Sequence, residues 1–409
     1  MEEKGWVYSD PTTGDYLNKL GVALVPKDNL ENVTWRFRAL RDVEVNAFAL
    51  PNGSIYVNSG LISRMENEAQ LVGVLAHEVA HVLGRHSYLD YRSTRKKVVA
   101  IEIMMAAANA AHNAGVHPAI VEAMGDLLPM IVVSTVFGFS RELESEADAY
   151  AVNSLYLQHY DLQEFSRGFE LLRKGPEVDL SQEPVFWASH PKLADRVQFV
   201  ANQALQLQSN DNNLIVNKPV YRAATVNVIR HNAGLALLLG QPRTALSIAN
   251  RLIVEEPNNP ENLVLLGDAY RCLGARTPVP TDEEQTDSSK GKTRKRLSKM
   301  TIAEYDRALR ADPQGEELWQ ANVKRSEDAF HKALAMDPQN ATAHRGLGFL
   351  YEQNEARAEA VEHFHKYLEL APSARDARQI KIHLETLAPP SSDKAPAESP
   401  VAETAAQHQ

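Results

Sequence analysis

The sequence predicts a mainly α-helical protein that carries one small β-sheet and divides into two domains. Between Glu66 and Arg85, apolar residues recur at steps of three and four, which is the period of an amphipathic helix. An Asn-Gly pair within Pro51–Ser54 joins two short apolar runs, and this arrangement predicts a β-hairpin. Farther along the chain, Pro338 and Pro372 lie 34 residues apart, which is the period of tetratricopeptide-like helix pairs.

The first domain is predicted to span residues 1–210. Its composition indicates a short helix, then strands around the hairpin, then a series of helices that closes the domain. The predicted helices cover residues 11–25, 66–85, 97–175 and 192–207, and the predicted strands cover residues 34–40, 43–50 and 55–58.

The second domain, residues 222–388, is predicted to consist of tetratricopeptide-like helix pairs. A run of small and large residues around Gly267 recurs around Gly348. Small residues allow two helices to touch, and large residues fill the space between them. An insertion at residues 275–299 interrupts the array, and residues 389–409 have the composition of a disordered tail.

Charge and composition exclude several kinds of partner. The chain holds 43 basic and 53 acidic residues and a net charge of −10, so nucleic acid is not expected as a partner. The single cysteine, Cys272, cannot form an intramolecular disulfide. Apolar runs within residues 98–139 fall short of the ~20 residues that a membrane helix needs. A protein core is the favoured interpretation of this segment, and a peripheral membrane contact is the alternative.

The strongest chemical signal is the pattern His77-Glu78-Val79-Ala80-His81. Two histidines four residues apart lie on one face of a helix, so both imidazoles can reach the same metal ion. Imidazole nitrogens suit zinc, and a catalytic zinc site keeps one coordination position open. The carboxylate of Glu78 lies beside that face and can accept a proton from water. The alternative is a pair of core histidines, but burying two imidazoles beside a carboxylate without a metal is costly.

A zinc peptidase needs a third protein ligand, and the acidic segment Ser140–Asp148 can supply it from a second helix. Glu144 and Asp148 are four residues apart and share a face. One of the two can bind zinc while the other accepts the ring N–H of a zinc histidine and fixes its tautomer. Glu142 and Glu146 are predicted to point elsewhere. A solvated acidic helix is the competing interpretation.

Four segments together resemble the zinc endopeptidase family that includes the CAAX prenyl protease and HtpX. They are residues 47–62, 66–86, 140–152 and 189–191. The resemblance implies a gluzincin-type metallopeptidase domain with one Zn²⁺ per chain, held by His77, His81 and Glu144. It also implies that Glu78 is the general base and that Asp148 supports the zinc ligands. The repeats that follow make the chain most similar to the periplasmic, tetratricopeptide-containing branch of this family.

The same resemblance assigns His190 to the active site, where Pro191 biases it toward an extended backbone. A protonated imidazole would stabilise the oxyanion that forms when water attacks the peptide carbonyl. A neutral imidazole would instead occupy the open zinc position until a substrate displaces it. A surface histidine is the third interpretation. His86 lies off the face of His81 and is predicted to be a structural or surface residue.

The substrate is expected to bind as an extended strand beside the first strand of the hairpin. An edge strand offers backbone groups with which a peptide can pair, and this mode allows cleavage with little sequence preference. The residues predicted to line the substrate are Val45, Asn46, Ala47, Phe48 and Ala49.

Together these features predict a zinc-dependent endopeptidase that hydrolyses misfolded or misassembled envelope proteins. Its repeats would recruit protein substrates or an envelope assembly complex. The competing prediction is a chaperone or scaffold in which the repeats dominate and proteolysis is minor. The N-terminus shows neither the basic region nor the apolar run of a signal peptide. A periplasmic location therefore requires that a signal was removed, and a cytoplasmic location is the alternative.

Overall fold

The computed structural model describes residues 5–29, 33–86, 139–173, 193–208, 211, 213–276 and 313–387. Some predictions concern residues outside this set. They are the role of His190, the membrane contact through residues 98–138, most of the insertion at residues 275–299 and the tail at residues 389–409. The described part is mainly helical and contains a three-stranded sheet, which confirms the predicted fold class.

The first compact unit, Met1–Pro257, contains the sheet and the candidate site. Its strands are β1 (Arg36–Leu40), β2 (Ala47–Ala49) and β3 (Ser54–Asn58). Its helices are α1 (Pro11–Ala23), α2 (Ser59–Arg64), α3 (Glu68–Leu83), α4 (Arg141–Leu157), α5 (Leu162–Arg173), α6 (Leu193–Gln208), α7 (Lys218–Leu238) and α8 (Pro242–Glu255).

Strand β3 lies at the centre of the sheet, parallel to β1 and antiparallel to β2. The backbone N–H of Leu50 donates to the carbonyl of Ser54 at 2.8 Å, and Gly53 takes a φ of +86° in the turn between them. A positive φ favours glycine, because a side chain would be strained there. The predicted hairpin is therefore confirmed.

Strand β2 is shorter than the predicted strand at residues 43–50. Its ladder with β3 ends at Asn46, whose carbonyl accepts the N–H of Asn58 at 2.9 Å. Before Asn46 the chain bends toward the start of α2, where the carbonyl of Asp42 accepts the N–H of Gly60 at 2.8 Å. The residues before Asn46 therefore bond outside the β2–β3 ladder.

Helix α3 runs through the interior of the first unit. Every residue from Glu68 to Val82 is buried, because α1, α4, α5 and β2 all pack against this helix. The side-chain oxygen of Asn67 caps the helix by accepting the N–H of Gln70 at 3.1 Å. Gly73 lets α5 approach closely, since a Cβ at this position would lie 2.0 Å from the ring of Phe165. Side chains on α3 are thus held by a fixed, close-packed element.

Helices α7 and α8 pack within the first unit, although the predicted boundary at residues 210–222 separates them from it. The Tyr221 hydroxyl donates to the carbonyl of Ile62 at 2.5 Å, and the Thr13 hydroxyl donates to the carbonyl of Ala224 at 2.9 Å. Both hydrogen bonds are buried. The domain assignment itself stays a prediction, but the compact unit extends to Pro257.

The second compact unit, Asn258–Gln409, is helical where it is described. Its helices are α9 (Pro260–Arg276), α10 (Pro313–Met336), α11 (Ala341–Gln353), α12 (Arg357–Leu370) and α13 (Ala377–Leu387). Helix α9 packs on α10, and α11 packs on α12. A Cβ on Gly267 or Gly348 would lie 2.7 Å or 2.6 Å from a phenylalanine ring of a neighbouring helix. These small residues lie where helices touch, and the tetratricopeptide assignment stays a prediction.

Candidate metal centre

Two histidines of α3 and one glutamate of α4 converge on a single point. Nε2 of His77 lies 2.9 Å from Nε2 of His81, and Oε2 and Oε1 of Glu144 lie 3.6 Å from the first and the second of these nitrogens. All three side chains are buried. Within the part of the chain that the structure describes, this is the group of side chains arranged to hold a metal ion.

The geometry and the donor atoms fit zinc. Zn–N bonds are about 2.0–2.1 Å long, so two ligand atoms of a tetrahedral site lie roughly 3.3 Å apart. The observed separations of 2.9 Å and 3.6 Å bracket that value. Each imidazole turns its Nδ1 toward a hydrogen-bond partner, Asp148 for His77 and His86 for His81. With the protons on Nδ1, two Nε2 lone pairs face each other, and a cation between them removes the repulsion.

The structure separates the roles of Glu144 and Asp148, which the sequence left open. Glu144 faces the Nε2 atoms of both histidines, whereas Asp148 Oδ1 lies 3.0 Å from Nδ1 of His77. Asp148 can therefore accept the Nδ1–H and hold His77 in the tautomer that binds metal through Nε2. Both carboxylates project from α4, whose first turn is capped by Ser140, the acceptor of the Leu143 N–H.

Arg196 of α6 lies in the site, although the sequence suggested it only as a support for His190 and not as a partner of the acidic residues of α4. Its Nε and Nη2 donate to the two carboxylate oxygens of Asp148, each at 2.7 Å, and its Nη1 lies 2.8 Å from Glu144. Nη2 also lies 3.2 Å from Nδ1 of His77. The guanidinium is buried and covers the ring of Phe169 at 4.5 Å. No local pattern marks Arg196, since it lies 48 residues from Asp148 in the sequence.

These ion pairs set the charges of the buried groups. Burial alone would raise the pKa of Asp148, but the Arg196 guanidinium and the hydrogen bond from His77 hold that pKa below its ordinary value. Burial and the positive charge of Arg196 lower the pKa of His77. Near neutral pH His77 is therefore neutral beside an ionised Asp148, and a neutral imidazole is the form that binds a metal ion.

His86 is not a surface residue, and the expectation that it lies off the face of His81 is wrong. His86 is fully buried, and its Nδ1 lies 2.9 Å from Nδ1 of His81. Glu146, predicted to point elsewhere, has a carboxylate oxygen 3.6 Å from Nε2 of His86. The prediction failed because it extended the helix beyond its last residue, Leu83, and the chain changes direction after that point.

Glu78 follows His77 directly and is buried on α3. Its negative charge acts on Arg196 and helps to raise the pKa of that guanidinium, against the opposing effect of burial. A carboxylate in this position, next to the ligand cluster, is placed to accept a proton. The role of general base remains a prediction.

The predicted substrate residues lie at one edge of the sheet. The strand order β1-β3-β2 leaves the outer side of β2 without a partner strand among the described residues. Ala47, Phe48 and Ala49 form β2, and Val45 and Asn46 precede it. Helix α3 packs against β2, which brings this edge and the metal ligands onto neighbouring elements. Substrate binding here stays a prediction.

Phe139 stacks on the ring of His81 with a centroid distance of 3.9 Å. It closes one side of the ligand cluster with an apolar surface.

His190 lies outside the described residues, so both roles proposed for it stay predictions. Among the helices that the structure describes, none combines the length and apolar character needed to cross a membrane.

Comparison with known proteins gives similar peptidases. A "Putative beta-barrel assembly-enhancing protease" from Vibrio cholerae is 28% identical over 204 residues, which cover 49% of this chain and 41% of that protein. The "Mitochondrial metalloendopeptidase OMA1" of Schizosaccharomyces pombe is 27% identical over 46% of this chain and 52% of its own length. The "Metalloprotease YcaL" of Escherichia coli is 27% identical over 46% of this chain and 69% of its own length.

The chain spans less than half the length of the beta-barrel assembly-enhancing proteases that it matches. The alignments with the beta-barrel assembly-enhancing proteases of V. cholerae and E. coli span 41% and 40% of those proteins. The model of Peptidase family M48 matches residues 11–204, which contain both histidines, Glu78, Glu144, Asp148 and Arg196. The predicted resemblance to zinc endopeptidases is thus confirmed over residues 11–204.

Proposed function

We propose that this chain is a zinc-dependent endopeptidase that hydrolyses misfolded or misassembled proteins. The observation that carries the proposal is the convergence of His77, His81 and Glu144 within 3.6 Å of one another, directly beside Glu78, in a peptidase domain. The donor set of two imidazoles and one carboxylate is that of many catalytic zinc sites. The proposal includes one zinc ion per chain, and the cluster found in the described residues supports it.

Zinc, when bound by these three residues, would polarise the scissile carbonyl and make water more acidic. Glu78 would take the proton from the attacking water and pass it to the leaving amine. Asp148 would keep His77 in the required tautomer, and Arg196 would keep the Asp148 carboxylate ionised and oriented. His190 would either stabilise the oxyanion or cap the open zinc position, depending on its protonation.

The substrate would bind as an additional strand on the outer side of β2. Backbone pairing would hold any extended segment, and this explains a preference for unfolded chains over a particular sequence. Phe48 and its neighbours in β2 are buried, so pairing with a peptide would require this edge to become accessible. Folded proteins lack such exposed segments and would be spared.

The helices after Pro257 would recruit substrates or an assembly complex, since stacked helix pairs present an extended surface for protein ligands. An envelope role and a periplasmic location, which the family resemblance implies, belong to the proposal, and the relatives in V. cholerae and E. coli are named for beta-barrel assembly. Peripheral membrane contact through residues 98–139 belongs to the same proposal. A chaperone or scaffold would need the same surface but no functional metal site.

The decisive experiment measures zinc and proteolysis together. We expect the purified chain to contain about one equivalent of zinc by mass spectrometry and to degrade an unfolded protein such as reduced casein. A chelator should stop the degradation, and added Zn²⁺ should restore it. A chain that binds no zinc, or whose zinc-loaded form leaves unfolded protein intact while preventing its aggregation, would support the chaperone instead.

A further inference from the structure

His86 reaches His81 because the chain reverses at the end of α3. The helix ends at Leu83, Gly84 forms the cap, and Arg85 takes a left-handed conformation with a φ of 51°. A residue five positions after His81 would point away from it on a continuous helix. The left-handed residue turns the backbone, and the imidazole of His86 folds back onto the helix.

Gly84 is required for this return. A Cβ on Gly84 would lie 2.1 Å from Nε2 of His86, and the ring would have to move away from its position. The backbone of Gly84 does not require glycine, because any residue can adopt its φ of −74°. Glycine is needed at this position because the imidazole of His86 occupies the space of a side chain. Two neighbouring residues, Gly84 and Arg85, therefore cooperate to bring one side chain to the metal site.

The contacts of His86 are polar on both sides of the ring. Nδ1 lies 2.9 Å from Nδ1 of His81, and Nε2 lies 3.6 Å from a carboxylate oxygen of Glu146. The two imidazoles meet edge to face, with ring centroids 4.9 Å apart. A side chain that only filled space in this fully buried position would be apolar, because burying an imidazole without hydrogen bonds is costly.

The hydrogen bond between the two Nδ1 atoms holds one proton, and metal binding decides its place. His81 must present an unprotonated Nε2 to zinc, so its Nδ1 carries the proton and donates it. Nδ1 of His86 then accepts, and the proton of His86 resides on Nε2, which faces Glu146. At 3.6 Å the Glu146 carboxylate is too far for a direct hydrogen bond with this Nε2–H, but its charge faces that side of the ring.

We propose that His86 is the positioning residue of the zinc ligand His81, fixing its tautomer and ring orientation as Asp148 does for His77. The proposal rests on the proposed function, since it presumes zinc at His81. The two zinc histidines would be held differently, one by a carboxylate and one by an imidazole that is itself backed by a carboxylate. Loss of such an outer partner typically lowers metal affinity about 10–100-fold.

The experiment compares zinc affinity across matched variants of the full chain, by competition with a chromophoric chelator. His86→Phe keeps a ring of similar size and removes the acceptor, so we expect affinity to fall about 10–100-fold. His86→Asn keeps an acceptor atom near the place of Nδ1 and should recover most of that loss. Gly84→Ala leaves His86 in the sequence but displaces its ring, and it should resemble His86→Phe.

The control is His159→Asn, at an exposed turn residue with a φ of 59°, which asparagine tolerates. Its zinc affinity should equal that of the wild type. Wild-type affinity in both His86→Phe and Gly84→Ala would overturn the positioning role while leaving the proposed function intact. A wild-type chain that binds no zinc would overturn both. Circular dichroism of the metal-free variants separates a lost ligand orientation from a lost fold.

Discussion

Arg196 and Asp148 form a bidentate ion pair in the interior of the peptidase domain, with two N–O distances of 2.7 Å. The pair joins α6 to α4, and the same guanidinium reaches Glu144 and His77. Zinc would bring its positive charge to the place where Arg196 already balances two carboxylates. The ligand cluster is therefore neutralised in part before a metal arrives, and this arrangement predicts how the metal-free protein responds to mutation.

Arg196→Ala is expected to destabilise the metal-free protein by roughly 3–5 kcal/mol, because it leaves buried carboxylates without a partner. Urea unfolding with circular dichroism measures the loss. Arg167→Ala is the matched control: Arg167 pairs with Glu66 at 2.9 Å but is 55% exposed, so its removal should cost less than about 1 kcal/mol. Equal losses for the two variants would show that the buried pair contributes no more than a surface pair.

The stability of the metal-free protein should fall as pH decreases below about 6.5, the ordinary pKa of histidine. Burial lowers the pKa of His77, so the unfolded chain takes up a proton that the folded chain does not, and acid favours unfolding. Asp148 affects the stability at lower pH. Its pKa in the folded protein lies below the unfolded value of about 3.9, so the stability that it contributes is complete above that value. This stability is lost as the pH falls through the folded pKa.

Substitutions of His77 and Asp148 separate the pH ranges in which the two residues affect stability. In chelator-treated protein, His77→Asn should flatten the dependence of the unfolding free energy on pH between about 6.5 and 5, whereas Asp148→Asn, which removes a carboxylate that raises the pKa of His77, should not flatten it. Urea titrations at several pH values provide the measurement. An unchanged slope in His77→Asn would mean that other groups control acid stability in this range.

Glu78→Gln is expected to lower turnover at least about 10²-fold while zinc remains bound. The amide keeps the shape of the side chain but cannot accept a proton from water. Degradation of an unfolded substrate and metal content are measured on the same preparation. A zinc-loaded variant with turnover near wild type would exclude Glu78 as the general base.

Glu144→Ala is expected to lower zinc affinity by at least about 100-fold, because it removes a ligand rather than a partner of a ligand. Glu142→Ala is the control on the same helix, since Glu142 is exposed and outside the ligand cluster. Competition with a chelator gives both affinities. Similar losses in the two variants would point to the general negative charge of α4 rather than to ligation by Glu144.

Helix geometry predicted each half of the ligand cluster, and the resemblance to zinc endopeptidases joined the two halves. His77 and His81, like Glu144 and Asp148, are four residues apart, and this spacing puts each pair on one face. No sequence spacing predicts the contacts of Arg196, because its position depends on how α6 packs against α4 and α5. His86 could have been found from one signal, since Gly84 marks the end of the helix and so permits the chain to turn back.

The last prediction concerns where the peptidase part ends. Truncation after Pro257 should keep zinc binding and the hydrolysis of a short unstructured peptide, because the first compact unit remains whole. Truncation at residue 210, the boundary that the sequence suggested, should unfold the domain. It removes the Asn217 amide that donates to the buried Glu68 at 2.6 Å, and it removes Tyr221 from the core. Each buried group left without its partner costs roughly 1–3 kcal/mol, and lost burial of Tyr221 adds to that. Thermal unfolding and zinc content of the two fragments decide the matter. A stable, zinc-binding fragment ending at residue 210 would show that the peptidase part folds without α7 and α8, as the boundary predicted from the sequence implies.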